Sequence, residues 1–267
     1  MPREIYTHSH HQVVVDAHGA RTADEAAAFA RHLIQPGMRI LDAGCGPGSI
    51  TCGLARWVPD GSVVGVDSAA AALEHARKRV EEDGPDNVVF QQADVYDLAF
   101  PSESFDVVYA HQLLQHLGYP VEALQEFGRV LKPNGLVAVR DADYGTMTHH
   151  PHEPDIDRFF EIYAQVARRN GGEPDAGRRL LSWIREAGFS DPVYTSSSWA
   201  FSTLEERRWW AGLWADRTGL SNYVRRVEEL GVSTRAELTD LSATFQAWAE
   251  KPDAVFVFLH GEVVAKP

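Results

Sequence analysis

Leu41-Asp42-Ala43-Gly44-Cys45-Gly46-Pro47-Gly48 is the stretch from which the fold can be read. It closes the apolar run Met38-Arg39-Ile40-Leu41-Asp42-Ala43, which predicts a buried strand, and it leads into Ile50 to Val58, which predicts a helix. Glycines at such a junction let the backbone turn sharply and let a ligand approach where a Cβ would stand in the way. The helix behind them adds unpaired N–H groups and partial positive charge at its N-terminus.

Working outward, strands and helices alternate. Ser62 to Val66, Val88 to Gln92, Phe105 to Ala110 and Leu136 to Arg140 are short apolar runs that predict four further strands. Ala69 to Glu82 and Val121 to Leu131 predict helices, the first ended by Asp83-Gly84-Pro85-Asp86-Asn87 and the second by Lys132-Pro133-Asn134-Gly135. Strands that are apolar almost throughout predict a parallel sheet covered on both faces. Ahead of this core, Thr22 and Glu25 form a capping-box pattern that predicts a helix ending at Gln35-Pro36-Gly37. Beyond Tyr144 the rhythm changes. Helices are expected over Ile156–Arg169, Gly177–Ala187, Thr203–Arg217, Tyr223–Leu230 and Ser233–Glu250, and a sixth strand over Val193–Phe201. A last strand over Ala254–Leu259 and Glu262–Ala265 is expected to break at His260-Gly261.

Composition narrows the function. The chain has 267 residues, 25 Lys plus Arg against 38 Asp plus Glu, and a net charge of −13, an average field that repels a phosphate backbone and disfavours nucleic acid. Arg207-Arg208 and Arg225-Arg226 read as solvated helix faces. Two cysteines, Cys45 and Cys52, are too few for a disulfide framework or a four-cysteine zinc site. The opening MPREIYTHSHHQ lacks a signal-peptide core, and no apolar run reaches membrane-span length, so a cytoplasmic protein without membrane partners is expected. His8, His10 and His11, with His149, His150 and His152, read as pocket rim or lid, and no metal is expected.

The glycine turn gains meaning from two more strand ends. Asp67 lies 19 residues after Gly48 at the end of the second strand, where a carboxylate can hold a ribose diol. Ala93-Asp94-Val95 closes the third strand. All three lie along the carboxyl edge of one sheet, where open α/β folds bind ligands. The dinucleotide pattern G-x-G-x-x-G fits less well: Gly44 and Gly46 match, but Ser49 stands at the third position and Pro47 removes an N–H. A helix cap for Asp67, a turn former for Asp94 and a surface ion pair for Arg21 are the plain structural readings of the same residues.

From Ile40 to Asp143 the chain resembles class I S-adenosylmethionine-dependent methyltransferases, close to the ubiquinone/menaquinone-biosynthesis group. The matching pieces are LDAGCGPG, VVGVD, QQADVYDLAFPSESFDVVYAHQLLQHL and RVLKPNGLVAVRD. The resemblance implies a Rossmann-like α/β sheet, mostly parallel with an antiparallel last strand, N-terminal helices and a helical C-terminal insertion. It divides the chain into a lid segment (1–37), a core (38–202), a substrate-side helical insertion (203–252) and a final core strand (253–267). S-adenosyl-L-methionine is the implied cofactor. Asp42, Gly44, Cys45, Gly46 and Gly48 would face its methionine part, Asp67 with Ser68 the ribose, Asp94 and the Val95 N–H the adenine, His111 the sulfonium end, and Arg21 the carboxylate. His111, His116, Asp141 and Tyr144 are the candidate catalytic groups, since they follow the fourth and fifth strands on the same edge; Asp143 lies among them. The expected acceptor is a small organic molecule methylated at O, C or N, and the fold is compatible with a homodimer. A nicotinamide oxidoreductase and a cofactor-binding sensor are the alternatives. Trp209, Trp210, Trp214 and Trp248, with Phe201, Tyr223 and Phe245, read as helical core more than as an acceptor wall.

Overall fold

The computed structural model describes Gly19 and residues 21–219 and 221–267. The His8, His10 and His11 cluster, and the first part of the expected lid segment, lie outside the described residues. After a short helix α1 (Ala23–Ala26) and a 3-10 stretch (Ala28–Leu33), seven strands follow: β1 (Arg39–Ala43), β2 (Ser62–Asp67), β3 (Val88–Gln92), β4 (Phe105–His111), β5 (Leu131–His150), β6 (Ser190–Phe201) and β7 (Val255–Lys266). They are interleaved with α2 (Ser49–Trp57), α3 (Ala70–Asp83), α4 (Pro120–Val130), α5 (Pro154–Arg169) and α6 (Ala176–Glu186), while α7 (Leu204–Gly219), α8 (Ser221–Glu229) and α9 (Arg235–Ala249) lie between β6 and β7.

The strands form one sheet in the order β3-β2-β1-β4-β5-β7-β6. The first five run parallel, and β7 is antiparallel to both its neighbours. Alternate residues of each inner strand serve opposite faces. Leu41, Val64, Val108 and Val137 pack under α4 and α6, whereas Ile40, Val63, Val107 and Tyr109 pack under α1 and α2. This two-sided burial is why the strands read as apolar runs. The chain leaves β1 for β2 on one side and returns to β4 on the other, so a crevice opens beyond the carboxyl ends of β1 and β4. A third cluster, rich in Trp and Phe, fills the space between the ends of β5–β7 and helices α5 and α7–α9.

Several expectations are corrected. The last strand does not break at His260-Gly261: β7 is continuous, with Gly261 paired to Asp141 and Ser196. Gly261 is there for close approach, since a Cβ on it would lie 2.1 Å from the Gly177 carbonyl oxygen. The fifth strand runs well past Arg140, because β7 pairs along its extension, so Asp141, Asp143 and Tyr144 stand on the strand and not after it. The turn residues Lys132 to Gly135 are absorbed as an irregularity between the pairs Phe105–Leu131 and Val107–Leu136. Thr22 does cap a helix, its Oγ1 accepting from the Glu25 N–H at 3.3 Å, but α-helical geometry ends at Ala26. Arg207 is not on a solvated face. It is buried, and its guanidinium donates to the carbonyls of Ser202, Ala249, Lys251 and Ala254, tying α7 to the chain after α9.

Candidate active site

The loop after β1 is built for close approach. Gly44, Gly46 and Gly48 all have positive φ (72°, 53° and 77°), a region that L side chains enter only with strain. A Cβ on Gly44 would lie 2.8 Å from the Leu113 side chain, and one on Gly48 would lie 2.7 Å from the Phe90 ring. Gly46 differs, because a Cβ there would meet open space. Two of the glycines thus serve packing, and the middle one faces the crevice. The Gly44 and Cys45 N–H groups both donate to the Val66 carbonyl at 2.8 and 2.9 Å, so the loop leans over the end of β2.

Asp67, half-buried there, accepts from the Gly46 N–H at 3.0 Å through Oδ2 and from the Ala69 N–H at 2.9 Å through Oδ1. The second bond fixes the turn ahead of α3 without capping it, since Ala69 is the N-cap and no side chain caps the helix, and each carboxylate oxygen retains capacity for a second donor. Ser68 beside it is exposed, and its carbonyl accepts from Gln92 Nε2 at 2.8 Å. Asp94 is exposed and turns the chain by accepting from the Tyr96 N–H at 3.0 Å, while Val95 is buried beneath it. Asp42 sits under the glycine loop with Thr51 Oγ1 donating to it at 2.6 Å. Burial, reinforced by the charge of Asp67, pushes its carboxyl up to about 7 despite that bond. Burial also holds the Cys45 thiol well above its ordinary range, which leaves no thiolate nucleophile in the loop.

On the other side of the crevice, β4 ends at His111 and the next residue, Gln112, has φ 50°, an uncommon value for a side chain of that size. The buried His111 ring lies 6.2 Å from Trp199 and 6.1 Å from His260, centroid to centroid. Asp141 is fully buried; Oδ1 accepts from the Gln115 N–H at 3.1 Å, Oδ2 has no hydrogen-bond partner among the described residues, and burial raises its carboxyl to about 8. Gln115 accepts from the Ala142 N–H, which aims its amide nitrogen at His116 Nε2, 3.1 Å away. The His116 lone pair is thereby taken, and burial with the positive charges of Arg217 and Arg21 pushes the ring down to about 3. Burial likewise raises the Tyr144 hydroxyl; its ring stacks on Tyr163 at 4.8 Å. Asp143 faces away from this group and forms an ion pair with Arg178 at 2.6 Å.

The neighbouring strands β3, β2, β1 and β4 bring Asp94, Asp67, the glycine loop and His111 to their carboxyl ends. A sequence profile described as a methyltransferase domain matches residues 34–188, more than half of the chain. An uncharacterized methyltransferase of Schizosaccharomyces pombe is 31% identical over 261 residues, covering 95% of this chain and 93% of that protein. The chain is a class I S-adenosylmethionine-dependent methyltransferase. Its cofactor is S-adenosyl-L-methionine, and the open space at Gly46, with the Asp67 carboxylate beside it, fits a nucleoside that carries no phosphate. The methyltransferase is also 37% identical over 157 residues to a ubiquinone/menaquinone biosynthesis C-methyltransferase of Bdellovibrio bacteriovorus, covering 58% of this chain and 64% of that one. In fold it matches phosphoethanolamine N-methyltransferase 2 of Haemonchus contortus, at 18% identity and TM-score 0.57, over 91% of this chain and 52% of that one.

A cavity also lies where the sequence carried no motif. Next to His111 lies a pocket lined by Arg21, Gln112, Tyr144, Trp199, Trp210, Trp214, Arg217 and Phe258, among others. Arg21 stands with its guanidinium carbon 5.4 Å from the Trp199 centroid. Trp199 on β6, Phe258 and His260 on β7, and Arg217 on α7 come from segments with no motif, so only the chain's path unites them. Gln112 Nε2 meets His260 Nε2 at 2.8 Å, and burial holds that imidazole well below its ordinary range. Trp248 and Phe245 belong to the buried core, as the helical reading of that segment held, whereas Trp210 and Trp214 serve both core and pocket. Elsewhere, ligand atoms of His149, His152 and Asp157 lie within 4.8 Å of one another. His149 Nε2 accepts the Glu153 N–H at 2.9 Å, which leaves the proton on Nδ1, the nitrogen that faces Asp157. No helix among the described residues is long and apolar enough to cross a membrane.

Proposed function

We propose that this methyltransferase modifies a small organic molecule, at oxygen, carbon or nitrogen, in the aromatic pocket beside His111. The observation that carries the proposal is the pocket's position: it opens next to the end of β4, at the crevice where the cofactor-facing loop also lies. It is bordered by α7, between β6 and β7, and its lining mixes aromatic rings with polar groups, as the sites of small polar-tipped molecules do. S-adenosylmethionine supplies a methyl group that is already electrophilic, so the protein's task is alignment and exclusion of water. In this reading Asp67 and Ser68 hold the ribose hydroxyls, and Asp94 and the Val95 N–H hold the adenine. Gly44, Cys45, Gly46 and Gly48 border the methionine part, Asp42 lies beneath it, and Arg21 serves its carboxylate.

A strong general base is not assembled in the pocket. His116 is neutral with its lone pair engaged, Asp141 is held protonated near neutral pH, and the Tyr144 hydroxyl is raised. Such an arrangement suits an acceptor that is nucleophilic without prior deprotonation. The test is incubation of the protein with methyl-labelled S-adenosylmethionine and a fractionated cell extract. Label should appear in a low-mass product; label confined to protein or RNA would overturn the proposal. Family membership sets aside the oxidoreductase and sensor alternatives.

A further inference from the structure

The pocket holds a buried cation, Arg217, that no acidic group among the described residues answers. Arg217 on α7 is only 7% exposed, with its guanidinium carbon 4.1 Å from the centroid of Trp214. It hydrogen-bonds the Tyr144 hydroxyl. Its Nε and Nη1 have no hydrogen-bond acceptor among the described residues, and it forms no ion pair among them. Trp210, 4% exposed on the same wall, has its Nε1–H in the same condition. A buried guanidinium without a counter-charge is costly, and orphaned buried donors add to the cost. No acidic side chain among the described residues lines the pocket, and Arg21 stands at its Trp199 end.

Buried donors on Arg217 and Trp210 that find no acceptor among the described residues describe the complement of a ligand. Its charged part must be an anion, and its body must suit the ring surfaces of Trp199, Trp210, Trp214 and Phe258. We propose that the acceptor is an aromatic carboxylic acid whose carboxylate is anchored by Arg217 and the Trp210 N–H. A carboxylate suits the site better than a phosphate, because a planar monoanion needs fewer donors than a tetrahedral dianion. The anchor sets the acceptor's orientation in the pocket. This inference rests on the reading of the pocket as the acceptor site.

The experiment is calorimetry on the full chain saturated with S-adenosylhomocysteine, titrated with matched pairs: benzoate, cinnamate, 2-naphthoate and indole-3-acetate, each beside its primary amide, with phenyl phosphate as a further arm. At least one acid should bind tenfold or more tightly than its amide. Arg217→Gln should abolish that preference while S-adenosylhomocysteine affinity stays within about twofold, and Arg217→Lys should keep part of it. Equal binding of acids and amides, no binding of any acid, tighter binding of phenyl phosphate than of benzoate, or a preference that survives Arg217→Gln would each overturn the proposal. Should the glutamine variant not fold, the wild-type acid-to-amide ratio decides by itself. The preceding titration with S-adenosylhomocysteine separates the two readings: its failure would strike the assigned cofactor site, whereas failure of the acids alone would strike only the anchor.

Discussion

The Gly46 N–H donates to Asp67 Oδ2 at 3.0 Å, so the end of β2 holds the loop that follows β1. One carboxylate therefore holds both the glycine turn and, through the Ala69 N–H, the turn that precedes α3. If Asp67 holds the ribose as proposed, ligand binding and loop geometry are coupled through that side chain.

Asp67→Ala should consequently weaken S-adenosylhomocysteine binding by about 1–3 kcal/mol, the range for lost charge-assisted hydrogen bonds. Isothermal calorimetry reads this directly. Unchanged affinity would remove Asp67 from the binding site.

The glycines should divide by role. Gly48→Ala places a Cβ 2.7 Å from Phe90 and 2.8 Å from the Ala76 Cβ at a φ of 77°, and should cost about 1–3 kcal/mol of stability. Gly46→Ala meets no atom of the described residues within 4 Å; its φ of 53° adds backbone strain, but without the steric clash it should cost less melting temperature than Gly48→Ala and more cofactor affinity. Thermal unfolding with and without S-adenosylhomocysteine compares them; the reverse ranking would refute the division.

Stability should fall as pH rises from about 4 to about 8. Burial raises the carboxyls of Asp141 to about 8 and Asp42 to about 7 in the folded chain. Unfolded aspartate releases its proton near pH 4, so within this window the folded state binds more protons. The stabilisation is complete below the unfolded pKa and is lost as pH passes the folded one. Asp141→Asn, which keeps the oxygen that accepts from Gln115, should flatten the slope of melting temperature between pH 5 and pH 9. A slope equal to that of the wild type would contradict the buried carboxyl's role.

His116 should stay neutral throughout the working range of the enzyme. With the ring pushed down to about 3 by burial and by Arg217 and Arg21, NMR of ring-labelled histidine should show no titration of His116 between pH 5 and pH 8. A midpoint near 6.5 would restore it as a proton acceptor.

Local chemistry settled much of this protein before any tertiary contact was known. Leu41 to Gly48 combined a buried strand, a turn that only glycines make without strain and a helix start, and the acidic strand ends at Asp67 and Asp94 fell into register because β1, β2 and β3 are neighbours of similar length. Signals of that kind are written within a few residues. Residues 131–266 were less legible. Gly261 looked like a strand break because a glycine's local freedom is visible in sequence, whereas the Gly177 carbonyl pressing against it is not. Arg207 looked solvated for the same reason, its carbonyl partners lying 40 or more residues away along the chain for three of the four contacts. The aromatic pocket was decided only by folding: Trp199, Tyr144, Arg217 and Phe258 sit on four elements with no shared pattern, and long-range packing alone joins an arginine to the aromatic faces that surround it.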